Sequence, residues 1–322
     1  LKHLNAKHFN DETPNEVSDV YEINEYQKSQ QYKKTNYKYN IITSLFSLIT
    51  TLGFFFFNGF SIVDNIAREF SNNIIIITLI FFGIIMIGSE IISIPFSLYK
   101  TFIIEEKFGF NKISKKTFFL DQLKGLLMSA TLGGIILALI TWFYKFTGVH
   151  FWLYAWVLIT VFSLFMNMFY SKLIVPLFNK QTPLKDGELK NAITKYTNSV
   201  GFKLDNIYVI NGSKRSTKAN AYFSGFGNQK RITLYDTLIN DLTNDEIVAV
   251  LAHEVGHYKK KHIIFNFTAS VIITGITLFL LSLFINTPIF SLALGVSNPS
   301  FHIGLITFGI LYSPISELTG MF

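Results

Sequence analysis

The sequence predicts a mainly α-helical protein, a polytopic bundle of six membrane helices that carries a small α+β domain on one side of the bilayer. Half of its 322 residues are hydrophobic, and they are concentrated in six long apolar runs. About twenty apolar residues in a helix span a bilayer, and the runs have about that length. Between the fourth and fifth runs, residues 179–262 have the mixed composition of a soluble domain.

The six apolar runs define the predicted membrane spans. These are residues 41–63, 74–99, 125–144, 151–170, 263–285 and 301–322. Only a few residues around Gly148 separate the third run from the fourth, so these two spans are expected to be antiparallel neighbours. Glu90 and Glu317 lie inside the second and sixth runs, where an ionisable group usually faces the bundle interior or a watery cavity. Buried core helices of a large soluble protein are the alternative, which six runs of this length disfavour.

The positive charges predict the orientation of the bundle. Side one holds residues 1–40, 100–124, 171–262 and the C-terminus, and side two holds residues 64–73, 145–150 and 286–300. Of the 28 Lys and Arg residues, only Arg68 and Lys145 lie on side two. Because such an excess marks the cytoplasmic side, side one is expected to face the cytoplasm. The membrane would be the inner membrane of a bacterium or the endoplasmic reticulum of a eukaryote.

This topology divides the chain into four regions. They are an N-terminal cytoplasmic segment at 1–40, four spans within 41–178 with a cytoplasmic loop at 100–124, a cytoplasmic domain at 179–262, and two spans within 263–322. Residues 15–39 could form a helix with charges on most faces, but a solvated segment is the simpler interpretation. The chain has no cysteine, which excludes disulfide and thiol chemistry.

The cytoplasmic domain alternates between helical and strand patterns. A helix is predicted at 184–199 with its end at Gly201, strands are predicted at 206–210, 221–226 and 231–237, and a basic loop is predicted at 212–220. A Gly-Asn-Gln turn joins the last two strands, and a helix follows at 244–262. One strand is expected to form a sheet edge beside this helix, where a peptide could bind by adding itself as a strand.

The helix at 244–262 carries the sequence His253-Glu254-Val255-Gly256-His257. Residues four apart lie one turn apart on the same helical face, so the two imidazoles can bind one metal ion. Glu254 lies about 100° around the helix, close to the metal but not bound to it, where it can take a proton from a water. This pattern is typical of zinc metallopeptidases of the zincin type, in which zinc lowers the pKa of its water to about 7. A surface helix with two incidental histidines is the alternative.

Local signals place the start of this helix and its distance from the membrane. Thr243 and Glu246 are spaced as a capping box, and Leu242 and Ile247 are spaced as a hydrophobic staple. Five residues separate His257 from the fifth apolar run, so a continuing helix would hold the metal within about 10 Å of the bilayer. A site in this position favours substrates that are membrane-bound or lipid-bearing.

A catalytic zinc normally has three protein ligands, and the motif supplies two of them. The candidates downstream are His262, His302 and Glu317. His262 is expected on a different face of a continuous helix, and His302 is expected on the other side of the membrane. Glu317 returns to the correct side, although it would serve equally well as a polar contact between helices.

Two basic clusters could indicate a nucleic-acid partner. One contains Lys214, Arg215 and Lys218 in the loop, and the other contains residues 259–261 after the motif. We disfavour this interpretation because no nucleic-acid-binding motif accompanies the charge, and lysines that flank a membrane helix are explained by anionic lipid headgroups. The expected partners are the lipid bilayer and a peptide or protein substrate, and no nucleic acid.

Several further stretches complete a set of motifs. They are Gly212-Ser213-Lys214-Arg215-Ser216, Asn220-Ala221-Tyr222-Phe223 and residues 231–238, 251–257, 99–111, 176–178 and 312–314. Together they resemble the integral-membrane zinc peptidases of the CAAX prenyl protease 1 type, the Ste24 group of family M48, over almost the whole chain. The resemblance implies a chamber within the membrane formed by seven helices, of which six are present here and the first would precede Leu1.

The resemblance also implies the chemistry of the site. It implies one catalytic zinc on the two motif histidines, with a third ligand that is a Glu beyond Phe322, so a chain that stops there would lack it. Asn220 and Ala221 would contact the substrate backbone along the edge strand. The implied reaction is endoproteolysis near the C-terminus of prenylated CAAX proteins.

Three functions remain open from the sequence. The first is this zinc metalloendopeptidase, with Glu254 as the catalytic residue and a possibly prenylated protein as the substrate. The second is membrane-protein quality control, as in the related HtpX-type peptidases. The third comes from another class, a non-catalytic membrane scaffold or transporter, and it is favoured by the carboxylates Glu90 and Glu317 within predicted spans.

Overall fold

The computed structural model describes residues 2–9, 22–202, 206–225 and 230–320, which form long helices and one four-stranded sheet. The helices are α1 (Lys2–Ala6), α2 (Ile23–Phe56), α3 (Gly59–Phe70), α4 (Ile74–Tyr99), α5 (Lys115–Met128), α6 (Gly134–Thr147), α7 (Phe151–Leu173), α8 (Val175–Phe178), α9 (Glu188–Ser199), α10 (Asp236–Asp241), α11 (Asn244–Lys259), α12 (His262–Phe284), α13 (Pro288–Ala293) and α14 (Phe301–Thr319). The strands are β1 (Gln181–Pro183), β2 (Ile207–Ile210), β3 (Ala221–Ser224) and β4 (Arg231–Tyr235).

Five segments of the described chain are long and apolar enough to cross a membrane. They are Ile23–Phe56, Ile74–Glu105, Lys115–Phe178, His262–Phe284 and Phe301–Leu318. Lys115–Phe178 has 64 residues and would measure about 96 Å as a straight helix, roughly three times the thickness of a bilayer core. It contains a break at Gly148, whose φ is +55°, and α6 and α7 contact each other on either side of that glycine. The division of the chain into six spans stays a prediction.

The first predicted span, 41–63, contains a helix break that the sequence did not reveal. Helix α2 begins well before residue 41, so much of the segment interpreted as solvated is helix that continues into the span. At its other end α2 stops at Phe56, and Asn58 adopts a φ of +54°, a left-handed conformation that Asn tolerates better than most residues. Hydropathy did not reveal this break because α3, which follows, buries an apolar face against α4 and α14.

The predicted cytoplasmic loop at 100–124 is largely helical. Helix α4 continues as a π-helical turn, Lys100–Glu105, and α5 already begins at Lys115. Ser114 caps α5, because its Oγ accepts the backbone N–H of Thr117 at 3.2 Å. The charges that suggested a loop therefore belong to the polar ends of two helices.

The sheet has the strand order β1-β2-β4-β3. Strands β2 and β4 are parallel, and β1 and β3 pair antiparallel at the two edges. The strands predicted at 206–210, 221–226 and 231–237 are present as β2, β3 and β4, although β2 begins one residue later and β4 ends two residues earlier. Phe226 and the Gly-Asn-Gln turn lie outside the described residues. Strand β1 was not predicted, because three residues that end in proline show no alternation.

The core of this domain lies between the sheet and helices α9 and α11. Its buried side chains include Ile193, Ile207, Ile232, Leu234, Leu238, Ile247 and Leu251. Burial of each aliphatic side chain contributes about 1.5–3 kcal/mol, which holds both helices on the sheet. Helix α9 begins at Glu188, four residues later than predicted, and Gly201 follows its end with a φ of +65°. The helix predicted at 244–262 is present as α11 but ends at Lys259.

A buried polar network connects α3 to the start of α14. His302 Nε2 donates to Asp64 Oδ1 at 2.6 Å, Arg68 Nε donates to Asp64 Oδ2 at 2.8 Å, and the guanidinium also donates to Ser300 Oγ at 2.6 Å. The bonds to His302 and to Ser300 join residues more than 230 positions apart in the sequence. The network therefore attaches α3 to the last helix of the described chain.

Candidate metal centre and substrate edge

Helix α11 begins where the sequence predicts, and its buried face sets its orientation. Thr243 Oγ1 accepts the N–H of Glu246 at 3.4 Å, and Glu246 Oε2 accepts the N–H of Thr243 at 2.8 Å, which confirms the capping box. Ile247, Leu251 and Val255 are spaced four residues apart, and each is 1% exposed. Burial of this face leaves the face that carries the two motif histidines exposed.

The two motif histidines converge on one point beside the helix. His253 Nε2 and His257 Nε2 are 3.0 Å apart, and both side chains are exposed. Two nitrogens bound to one tetrahedral zinc at 2.0–2.1 Å lie about 3.3 Å apart, so a small adjustment lets both bind the same ion. Glu254 adjoins His253 on the helix and is partly buried. Two imidazoles with a neighbouring carboxylate fit a catalytic zinc.

His262 lies closer to the motif than the sequence predicts. The expectation that it faces elsewhere assumed a continuous helix, and that assumption is wrong, because α11 ends at Lys259 and Lys261 adopts a φ of +57°. The turn places His262 at the start of α12, with its Nδ1 2.8 Å from Nδ1 of His257. His262 therefore contacts the side of the His257 ring that faces away from the Nε2 pair.

The other candidate ligands lie apart from the histidine pair. His302 is buried at the start of α14 and bonded to Asp64, and Glu317 is exposed near the end of that helix. Glu90 is partly buried in the middle of α4. Among the described residues, no group of three or more His, Asp or Glu side chains is arranged to hold a metal ion.

Strand β3 lies at the edge of the sheet, as the sequence predicts for one strand. Its register pairs Ala221 with Leu234, and the N–H of Tyr235 donates to the carbonyl of Asn220 at 3.0 Å. Antiparallel residues alternate between facing the partner strand and facing away from it. The backbone groups of Asn220 therefore point into the sheet, whereas the N–H and carbonyl of Ala221 and Phe223 point to the open edge.

A cavity of about 510 Å³ lies beside this edge. It is lined by Met166, Asn167 and Tyr170 of α7, by Tyr222, Phe223, Ser224 and Gly225, and by Ile263 of α12. The ring of Phe223 is 5.0 Å from that of Tyr258, which directly follows the second motif histidine. The cavity thus joins the strand edge to two membrane helices close to the metal helix.

The basic loop before β3 is attached to the membrane helices by its own charges. Arg215 forms two hydrogen bonds with Asp121 of α5, at 2.7 and 2.9 Å. The same guanidinium donates to Oδ1 of Asn179 and to the carbonyl of Phe178, each at 2.7 Å. Charge-assisted bonds of this kind are about twice as strong as neutral ones. Arg215 is therefore a structural cation, and its head group is already occupied.

Lys218 anchors the other end of the loop. Its ammonium donates to Glu105 Oε2 and to the hydroxyl of Tyr32, each at 2.8 Å, and lies 4.7 Å from the ring centre of Phe110. Burial alone would lower the pKa of Lys218, but the bonds to Glu105 and Tyr32 outweigh it and hold the pKa above its ordinary value. Lys218 therefore stays charged at neutral pH and fixes the backbone just ahead of Asn220.

Asn220 itself contacts the sheet. Its carbonyl accepts the backbone N–H of Tyr235, and burial raises the pKa of the Tyr235 hydroxyl above its ordinary value. Sequence reasoning missed Asp121, Glu105 and Tyr32, whose partners lie 94 or more positions away in the chain. No local pattern in the sequence marks such pairs.

Two family descriptions match the chain and together cover almost all of it. Residues 2–180 match the family described as CAAX prenyl protease N-terminal, with five membrane helices. Residues 183–311 match peptidase family M48. The boundary between the matches falls at the junction of α8 and the sheet. The first match covers helices α1–α8, and the second covers strands β2–β4, helices α9–α13 and the first part of α14.

Three curated proteins illustrate the similarity. A CAAX prenyl protease 1 homolog of Dictyostelium discoideum is 37% identical over 303 residues, which cover 91% of this chain and 71% of that protein. A CAAX prenyl protease 1 homolog of Arabidopsis thaliana is 41% identical over 247 residues, covering 76% of this chain and 58% of that protein. CAAX prenyl protease 1 of Saccharomyces cerevisiae is 37% identical over 263 residues, which cover 78% of this chain and 58% of that protein.

The fold is also similar to a solved structure. The crystal structure of S. mikatae Ste24p superposes with a TM-score of 0.91 and 32% sequence identity, over 98% of this chain and 78% of that one. The similarity covers the membrane helices and the four-stranded sheet together.

Proposed function

The chain belongs to the CAAX prenyl proteases of peptidase family M48, and from that premise we propose that it is a membrane-embedded zinc metalloendopeptidase. The observation that carries the proposal is the convergence of two imidazole nitrogens, 3.0 Å apart, on a capped helix beside an open strand edge. His253 and His257 would hold the zinc through their Nε2 atoms. Bound there, zinc would polarise the scissile carbonyl and acidify the attacking water.

Glu254 moves the proton in this proposal. Its carboxylate takes a proton from the attacking water and delivers it to the leaving amine, so the carboxylate is regenerated in each cycle. Its place next to His253 on the helix keeps it near the metal without making it a ligand. The reaction cleaves one peptide bond and adds one water across it.

The substrate binds as an extra strand on β3. Ala221 presents its N–H and carbonyl to the open edge, so a peptide can pair with it through backbone hydrogen bonds. Asn220 is limited to side-chain contacts with substrate, because its carbonyl accepts the N–H of Tyr235. The neighbouring cavity, which reaches α7 and α12, takes the apolar part of the substrate.

The proposed substrates are membrane-associated proteins that end in a CAAX-type sequence and carry a prenyl group. Two features support this: the names of the similar proteins, and the single turn that separates the metal helix from α12. The charge asymmetry of the sequence supports a cytoplasmic position for this side of the protein. A farnesylated CAAX peptide, compared with a misfolded membrane protein as substrate, separates this proposal from a quality-control protease.

Removal of the metal is the direct test of a zinc peptidase. The purified full-length protein is expected to hold about one zinc per chain, to lose hydrolysis of the farnesylated peptide when a chelator removes it, and to recover when zinc returns. A variant with His150→Ala, far from the motif, should behave as the wild type. Hydrolysis that continues after complete metal removal, or a wild type that holds no zinc, would contradict the proposal.

The strand edge gives a second test. Ala221→Pro removes the outward N–H but leaves the pairing with β4 intact, because that N–H takes no part in the ladder. Loss of one hydrogen bond of about 0.5–1.5 kcal/mol predicts a roughly 2- to 12-fold lower kcat/KM. The control Ala221→Gly removes the methyl group and keeps the N–H. If both variants have equal kcat/KM values and equal melting temperatures, substrate does not pair with this edge.

A further inference from the structure

We infer that His262 is a positioning residue for the zinc ligand His257. In this arrangement Nδ1–H of His257 donates a hydrogen bond to Nδ1 of His262. The two Nδ1 atoms are 2.8 Å apart, which is the length of a direct hydrogen bond. The inference rests on the proposed function, because it assumes that His257 binds zinc through Nε2.

The chemistry of imidazole fixes the direction of this bond. A neutral imidazole has one N–H donor and one acceptor nitrogen. When Nε2 of His257 binds a metal, its proton lies on Nδ1, so Nδ1 of His257 donates and Nδ1 of His262 accepts. Metal-binding histidines usually have such a partner on the second nitrogen, which fixes the tautomer and the orientation of the ring. In this chain, His262 is that partner for His257.

The geometry excludes His262 as a third ligand to the same ion. Its contact is with the nitrogen of His257 that faces away from His253. The rings are tilted by 71° with centroids 4.9 Å apart, so they meet at their edges.

The backbone between the two histidines is built for this contact. Lys261 adopts a φ of +57°, which non-glycine residues rarely take, and the turn interrupts the helix between α11 and α12. A continuous helix would carry His262 to another face, away from His257. The strained residue thus brings the first residue of a membrane helix against a metal ligand.

Three substitutions distinguish a role of His262 as a hydrogen-bond acceptor at Nδ1 from a role that depends only on the size of its side chain. His262→Ala removes the acceptor, His262→Asn replaces it with Oδ1 at the same number of bonds from the backbone, and His262→Gln puts its oxygen one bond further out. In a competition with a chelator, we expect His262→Ala and His262→Gln to bind zinc about 10- to 100-fold more weakly than the wild type. His262→Asn is expected to stay within a few-fold of it. The control is His150→Ala, which also removes one exposed histidine.

The outcomes separate this inference from the proposed function. Suppose that the wild type binds zinc and hydrolyses peptide, and that the His262→Ala variant has the same zinc affinity. This result would overturn the inference and leave the proposed function standing. If the Asn variant binds zinc as weakly as the Ala variant, and thermal melts show that both are folded, the inference is overturned as well. Two zinc ions bound per wild-type chain would also overturn it. A wild type without zinc would overturn both. The inference is supported if zinc affinity falls in the order wild type, then His262→Asn, then His262→Gln and His262→Ala.

Discussion

Glu254→Gln is expected to lower peptide hydrolysis by about 10²- to 10⁴-fold while zinc stays bound. Glutamine has the shape of glutamate but cannot take the proton of the attacking water, so the chemical step loses its base. The two imidazole nitrogens are untouched by the change, and zinc affinity should therefore remain that of the wild type. The measurement is kcat on a farnesylated CAAX peptide, with the zinc content of the same sample determined in parallel.

The same helix provides matched controls for this prediction. Glu246→Gln changes a carboxylate to an amide at the capping position, where Gln also serves in a capping box, so turnover should remain normal. His253→Ala should lose zinc and turnover together, because it removes a ligand. Wild-type turnover in the Glu254→Gln variant would show that another group acts as the base.

The sequence predicts best the features that are set by neighbours in the chain. The start of α11 follows from Thr243 and Glu246, which hydrogen-bond each other within one turn. The convergence of His253 and His257 follows from the helical repeat alone. The membrane character follows from run length and composition, which depend little on contacts.

Features that depend on one backbone angle or on distant partners were not predictable. Hydropathy averages over about twenty residues, so it does not detect a left-handed residue such as Asn58 or Lys261. Each of these two residues redirects a helix that the sequence presents as continuous. The basic loop is a similar case, because Arg215 and Lys218 look like a surface patch until Asp121 and Glu105 are brought to them by the fold.

These long-range pairs connect the two parts of the molecule in a way that bears on function. The loop that leads into β3 is attached at Arg215 to α5 and at Lys218 to the end of α4. The start of β3, the proposed substrate edge, is therefore positioned by the membrane helices as well as by the sheet. Glu105 lies in a π-helical turn, a form that is frequent at functional sites.

Asp64→Ala is expected to destabilise the protein by about 3–5 kcal/mol at neutral pH. The Asp64 side chain is 3% exposed and the His302 side chain 1%, so removal of the carboxylate leaves a buried donor of His302 without its acceptor. It also removes the ion pair of Arg68, whose guanidinium keeps its bond to Ser300. The direct bond between α3 and α14 through His302 would be lost with the carboxylate. The measurement is the thermal unfolding midpoint in detergent.

The control for this change is Asp186→Ala, which removes a carboxylate that is 94% exposed and pairs with Lys190 one turn away. No measurable change in the unfolding midpoint is expected there, because exposed pairs of this kind are screened by solvent. An Asp64→Ala variant that melts with the wild type, or that shifts no more than the Asp186 control, would show that the buried network does not stabilise the fold.

The pH dependence of the same variant gives an independent check. Burial alone would raise the pKa of Asp64, but the hydrogen bonds from His302 and Arg68 and the charge of Arg68 outweigh it and hold the pKa below its ordinary value. A carboxyl with a lowered pKa stabilises the folded state above its unfolded value of about 3.9, and this contribution is lost as pH falls through the folded value. The difference in unfolding midpoint between wild type and Asp64→Ala should therefore be largest at pH 6–7 and become smaller below about pH 4. A gap that is constant across this range would mean that the charge on Asp64 is not what connects α3 to α14.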